Sequence, residues 1–173
     1  MKVTINRAPV LTLWAAIVAE RMGFPEEAAL TLGRALAGYT AQSKGRMLGI
    51  YHERPPGESE HAAPDDAPDL VFVDLMGKAL PALATPDGVR AAERGRPADP
   101  ERVRKYLRSK FGESLPEVER AMRALAGSYP ADRLAEQAYA LYEKFRPAVE
   151  RGKQGWGAAG VLDTERILAL RRT

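Results

Sequence analysis

Two apolar helices packed into residues 9–46 constrain this chain more than any other feature. Residues 9–22 read PVLTLWAAIVAERM. Pro9 suits the first turn of a helix, where its missing N–H removes no intrahelical bond. Val10, Leu13, Trp14 and Ile17 recur at three- and four-residue spacing, so they share one helical face. Leu11 and Val18 lie off that face and are apolar too, and only Thr12, Glu20 and Arg21 interrupt the run. A helix apolar nearly all round belongs in a core. This one is too short to span a bilayer, which takes roughly 20 apolar residues. Gly23 stops it and Pro25 opens a second helix, whose Glu26 and Glu27 complement the helix dipole. There Ala29, Gly33 and Ala37 repeat every four residues, a smooth strip that another backbone can approach closely. Leu32, Leu36 and Tyr39 supply bulk beside it. The two helices read as a tight hairpin; in the alternative reading as a homo-oligomer, the Ala29, Gly33, Ala37 strip is the contact between copies.

Residues 18–36 resemble a helix-turn-helix: Ala19, then Gly23 four residues on, the apolar Phe24, then Ala29 and Leu32. The resemblance implies a DNA-reading second helix. The opening Pro25-Glu26-Glu27 departs from it, because carboxylates stand where a reader presents donors to the duplex. Met22-Gly23-Phe24 ahead of a helix resembles the loop of a ubiquitin-associated domain, but the third short helix that this implies does not follow. Each resemblance covers a small part of the chain, and a core hairpin accounts for the same residues.

A chain of 173 residues is long enough for one domain with a real core. With no Cys, disulfides, thiolate metal sites and cysteine nucleophiles are excluded. The N-terminal residues carry no secretory pattern, so a cytoplasmic protein is the default, and the abundance of Ala, Arg, Pro and Gly fits a GC-rich bacterial genome. Charge is unevenly placed. Residues 50–69 hold Glu53, Glu58, Glu60, Asp65, Asp66 and Asp69 against Arg54 alone, a local balance of −5. In a chain of formal net charge +3, that leaves +8 for the remainder. A surface basic outside one acidic stretch has more field for a polyanion than its net charge suggests.

The expected organisation is a helical hairpin over 1–49, an acidic, Pro-rich disordered loop over 50–69, a small β-hairpin segment over 70–98 and a helical bundle over 99–173, all in one folded unit. The fold class expected is mainly α with a small antiparallel β-hairpin, the N-terminal hairpin packing on the C-terminal bundle. Pro55, Pro56, Pro64 and Pro68 amid acids argue against order in the loop. His52 and His61 lie there near Glu60, Asp65 and Asp66, in no metal-ligand spacing, and no metal or cofactor is expected. Leu70 to Val73 and Leu75 are β-prone, and Gly77-Lys78 reads as a turn. Residues 79–84 return as a second strand, with Pro81 demanding an edge. Thr85-Pro86-Asp87-Gly88 is a turn signal, after which a third short strand begins at Val89. Asp99-Pro100 opens a helix with an N-cap and a first-position proline. Val103, Leu107 and Phe111 form its inner stripe, and Gly112 ends it. Ser114 and Glu117 have capping-box spacing for the next helix, which carries Val118, Met122 and Leu125. Gly127 and Pro130 separate it from a third, bearing Leu134, Ala138, Leu141, Tyr142 and Phe145. Asp163 caps a last helix.

Three basic segments stand out. Lys44 and Arg46 flank Gly45, as a Gly/basic loop or as a C-terminal helix cap. Arg102, Arg104, Lys105, Arg108 and Lys110 populate one helix with no acid after Glu101, as a phosphate-tracking or a solvated face. Arg151, Lys153 and Trp156 sit in the glycine-rich residues 151–160, where Trp156 either stacks a base or plugs the core. Gly155, Gly157 and Gly160 match G-x-G-x-x-G, but a helix precedes them and too little chain follows for a dinucleotide fold. No G-x-S-x-G, HExxH or P-loop pattern occurs. The expectation is a bacterial nucleic-acid-associated protein that grips the phosphates of DNA or RNA through these ten residues, with little sequence readout. In it the acidic loop competes for the basic surface. The alternatives are a protein–protein module or homo-oligomer, and an enzyme with a pocket near Glu20 and Arg21. No membrane span is expected.

Overall fold

The computed structural model describes residues 1–47 (backbone alone for 41–47), 70–148 and 159–172. Its elements are β1 (Lys2–Asn6), α1 (Arg7–Arg21), α2 (Glu26–Met47), β2 (Leu70–Leu75), β3 (Lys78–Thr85), β4 (Gly88–Glu93), β5 (Arg96–Pro97), α3 (Pro100–Phe111), a short 3-10 turn (Gly112–Ser114), α4 (Leu115–Gly127), α5 (Ala131–Phe145), β6 (Ala159–Asp163) and α6 (Thr164–Ala169).

This is an α+β fold, which corrects the expectation of a mainly α chain with one hairpin. There are two antiparallel sheets, one pairing β1 with β6 and one ordered β2-β3-β4-β5. The terminal pair runs from Lys2 opposite Asp163 to Asn6 opposite Ala159. Each strand is five residues long, too short to announce itself, and its partner lies at the other end of the chain. Residues 159 and 160, read as the end of a glycine loop, are therefore strand. Gly160 is needed there because Ala148 crosses over it: a Cβ at 160 would lie 2.7 Å from the Ala148 carbonyl carbon.

Helix α1 is the axle. Every residue from Pro9 to Ala19 is buried, and α1 packs against α2, α3, α4 and α5. Three of the C-terminal helices thus gather round α1, and the last, α6, packs on α4. Trp14 donates its indole N–H to the Ala138 carbonyl of α5 at 2.9 Å and meets Phe145 edge-on, ring centroids 5.3 Å apart. Phe145 in turn meets Tyr142 edge-on at 5.9 Å. Such pairs add about 0.5–1.5 kcal/mol beyond burial.

The hairpin forms as its sequence predicts. Gly23 takes φ +107° after α1, and the amide of Ala29 donates to the Pro25 carbonyl. The small-residue strip is not a surface, however. Ala29 and Ala37 are fully buried, and a Cβ on Gly33 would sit 2.5 Å from the Thr12 carbonyl oxygen and 2.8 Å from the Ala16 amide nitrogen. The strip is spent on α1 within one chain, which corrects its assignment to a homo-oligomer contact.

The second sheet lays Val73, Leu75, Leu80, Ala82 and Ala91 against the core. Thr31 of α2 pins it: its hydroxyl donates to the Ala28 carbonyl and accepts from the Ala91 amide at 3.0 Å. Met76-Gly77 and Arg94-Gly95 turn with φ positive at both residues, the tight hairpin geometry that matches strand twist. Pro81 lies in β3, an interior strand, against expectation. The β3–β4 pairing runs only from Ala82 to Thr85, so Pro81 falls where β3 has β2 alone as its ladder partner. The expected capping box at Ser114 does not form. Ser114 has helical backbone angles, and its hydroxyl donates back to the Phe111 carbonyl at 2.6 Å. Asp99 and Asp163 do cap α3 and α6, accepting from the amides of Glu101 and Glu165. Among the described residues, no helix is long and apolar enough to cross a membrane.

Gly33→Ala is expected to destabilise the protein by about 1–3 kcal/mol, because the atoms it strikes are backbone and cannot yield. Gly38→Ala, whose added carbon meets nothing within 4 Å, is expected to stabilise by up to ~1 kcal/mol. Urea midpoints of the two variants check the opposite signs. Burial, then the neighbouring Tyr139, pushes the Tyr142 phenol well above its ordinary value of 10.0. The fold thus favours the protonated phenol, so its contribution is complete below about pH 10 and is lost as pH rises through the folded value. The Tyr142 hydroxyl has no hydrogen-bond partner among the described residues. Tyr142→Phe should therefore hold neutral-pH stability, or raise it by about 1 kcal/mol, and flatten the alkaline decline; circular dichroism against pH measures both.

Candidate functional site

Two helix faces and one sheet end enclose an open hollow. On α2, residues 31, 34, 35 and 38 follow the i, i+3, i+4, i+7 spacing of a single face. On α3 and its cap, residues 99, 102, 103 and 106 do the same. Thr31, Arg34, Ala35 and Gly38 therefore confront Asp99, Arg102, Val103 and Tyr106 across a groove of about 570 Å³. Ala91, Ala92, Glu93 and Ala98 close one side, Leu80 and Pro81 another, and Tyr39 stands at the margin. Small side chains (Ala35, Gly38, Ala91, Ala92, Ala98) leave the space open.

The polar equipment of this groove is cationic and aromatic. The Arg34 guanidinium lies 4.4 Å from the centroid of the Tyr106 ring. Burial raises the Tyr106 phenol above its usual range, and the Arg34 charge only partly offsets it. Lys78 brings its ammonium to 5.6 Å from the centroid of the Tyr39 ring, which is 43% exposed. Asp99 is engaged as the α3 cap, so Glu93 is the carboxylate of the lining that faces solvent without a role in a helix cap.

The basic helix α3 is divided by its surroundings. Arg102 lines the groove. Arg104 turns the other way, into Glu26, Glu27 and Glu101. Burial opposes the Arg104 charge, but these carboxylates outweigh it and raise its pKa, while Glu27 is held low by its own backbone amide and then by Arg104. Arg104 is thus a tie between α3 and the start of α2, its charge shared with three carboxylates. The sequence hid this because Glu26 and Glu27 lie far from it in the chain. Lys105, Arg108 and Lys110 are exposed, and with Arg102 they form no ion pair among the described residues. Lys44 and Arg46 stand on helical backbone, since α2 runs on to Met47; the expected Gly45 loop is helix. Arg151, Lys153 and Trp156, the acidic residues of 50–69, and His52 and His61 lie outside the described residues.

A second hollow, about 180 Å³, lies beneath Glu20. Its apolar floor includes Leu13, Ile17 and Leu107, and Arg108 is at its rim. Arg123 donates to Glu20 at 3.0 Å and to Glu119 at 3.3 Å, so these charges already satisfy one another. Arg21 is not part of it, donating instead to the Tyr129 carbonyl at 2.6 Å. The pocket expected near Glu20 and Arg21 therefore includes only the first, as half of an ion pair.

Of the groove-lining residues, sequence reasoning singled out Arg102 but not Arg34, Tyr39 or Tyr106. The available signal was the shared face of Thr31, Arg34, Ala35 and Gly38, a polar and small stripe beside the apolar Leu30, Leu32 and Leu36. What that stripe faces was not legible. No protein-family model, curated protein or solved structure matches the chain, and the site is read from its geometry.

A double-mutant cycle on Arg34→Met and Tyr106→Leu is expected to give a coupling of about 0.5–1 kcal/mol, measured by denaturation of the four proteins. Zero coupling would mean that the guanidinium is not held over the ring.

Proposed function

We propose that the protein binds nucleic acid, as a bacterial cytoplasmic component, through phosphate contacts along the outer face of α3 and in the adjoining groove. One observation carries this reading: Arg34 and Arg102, from different elements, line one open groove with Tyr39 and Tyr106, and Lys105 continues the cationic edge along α3. Guanidinium groups present paired donors to phosphate, and aromatic rings beside them suit bases. The contact set differs from the one the sequence implied: Arg104 leaves it, and Arg34 and Lys78 join it.

A second reading, association of copies, is favoured by β2. Phe72 is 66% exposed and Val71 beside it is also exposed. Among the described residues no strand pairs with the outer side of β2. A strand edge of this kind offers a row of unpaired backbone groups to another chain.

The two readings separate in one set of measurements. The parent protein should bind a labelled oligonucleotide, with log K falling linearly as log salt rises. Changing Arg102, Lys105 and Arg108 together to Glu should weaken binding and lower that slope by about 2 on a single strand, while Arg104→Ala leaves it unchanged. Sedimentation of the same samples checks the other reading. A stable dimer that ignores the oligonucleotide at low salt would remove nucleic-acid binding and support association through β2.

A further inference from the structure

The geometry points to a groove that takes an unpaired base, making single-stranded nucleic acid the ligand class; this rests on the nucleic-acid reading above. The first reason is shape. At about 570 Å³ the hollow falls in the ordinary range of small-molecule sites, roughly 300–1,000 Å³. A duplex keeps the faces of its bases stacked inside and presents only edges and phosphates. It has nothing to insert into such a hollow, whereas an unpaired base does.

The second reason is what lines it. The floor is low and apolar, from Ala35, Gly38, Ala91 and Ala92, a surface that suits a flat ring. Tyr39 stands exposed at the margin with the Lys78 ammonium near its ring. A base stacked there leaves its flanking phosphates among Lys78, Arg34 and Arg102. Tyr106 is not the platform, because it is half-buried with Arg34 closer over its ring, at 4.4 Å, than Lys78 is over the exposed Tyr39; it orients the guanidinium. Glu93 repels phosphate from its side of the groove and can accept from a base amino group. Phosphate binding alone requires neither the hollow nor the exposed aromatic, so these two features are what the inference explains.

Gly38 supplies a clean test. A side chain there enters open space, meeting nothing within 4 Å at its first carbon, so Gly38→Leu fills the groove while improving helix propensity. The probes are an oligonucleotide of about 12 nucleotides, its duplex, and an abasic strand of the same length carrying the same phosphates, all by fluorescence anisotropy at one salt concentration. The parent is expected to bind the normal single strand about tenfold more tightly than the abasic strand. Gly38→Leu and Tyr39→Ala should each erase that preference while keeping the parent's abasic and duplex affinities, and Gly38→Leu should keep or raise the thermal midpoint. Equal parent affinity for normal and abasic strands, with Gly38→Leu indistinguishable from parent, overturns the base site and leaves phosphate binding standing. A parent that binds none of the three probes at low salt overturns the base site together with the nucleic-acid reading.

Discussion

The burial of α1 governs the rest of this structure. A helix with eleven consecutive buried residues has no face to give to solvent, so partners must surround it. One side is filled by α2, where Gly33 admits a backbone approach that any larger residue would block. The opposite sides are filled by α3, α4 and α5, anchored by the Trp14 indole on the Ala138 carbonyl. The terminal sheet then joins the strand leading into α1 to the strand leading into α6, so the two ends of the chain are fastened beside the axle.

That arrangement also makes the groove. Because α2 gives one face to α1, a different face is left for α3 and the four-stranded sheet. Thr31 holds the sheet to α2 through the Ala91 amide, and the Asp99 cap starts α3 where the sheet ends. With Ala and Gly at the facing positions, the three elements do not close on one another. The hollow is therefore a consequence of how the core is filled, and its cations and aromatics are those that the core left outward.

Charge shows most clearly where linear sequence falls short. The α3 helix reads as a uniform basic face, yet neighbours from α2 neutralise Arg104, the groove claims Arg102 and a separate hollow receives Arg108. Coulombic pairing depends on distance in space, and Glu26 and Glu27 are distant in the chain. The same applies to Arg123, which satisfies Glu20 of α1 and Glu119 of its own helix together. Binding between such elements cannot be read from local spacing.

The amino-acid sequence alone determined the local elements whose causes are local. The apolar α1, the Gly23–Pro25 break, the Asp99 and Asp163 caps, the Thr85–Gly88 turn and the inner stripes of α3, α4 and α5 all follow from periodicity, φ preferences and hydrogen bonds within a few residues. The fold class, the fate of the Ala29, Gly33, Ala37 strip and the makeup of the groove were decided by tertiary structure. Strands β1 and β6 are too short to be stable singly and exist because each completes the other's backbone hydrogen bonds across nearly the whole chain. Gly33 reads the same whether it meets another helix of its own chain or of a second copy, and only packing chooses. Arg34 and Tyr39 came to line the groove for the same reason: a helix period shows which residues share a face, but the neighbour that gives that face its chemistry comes from elsewhere in the chain.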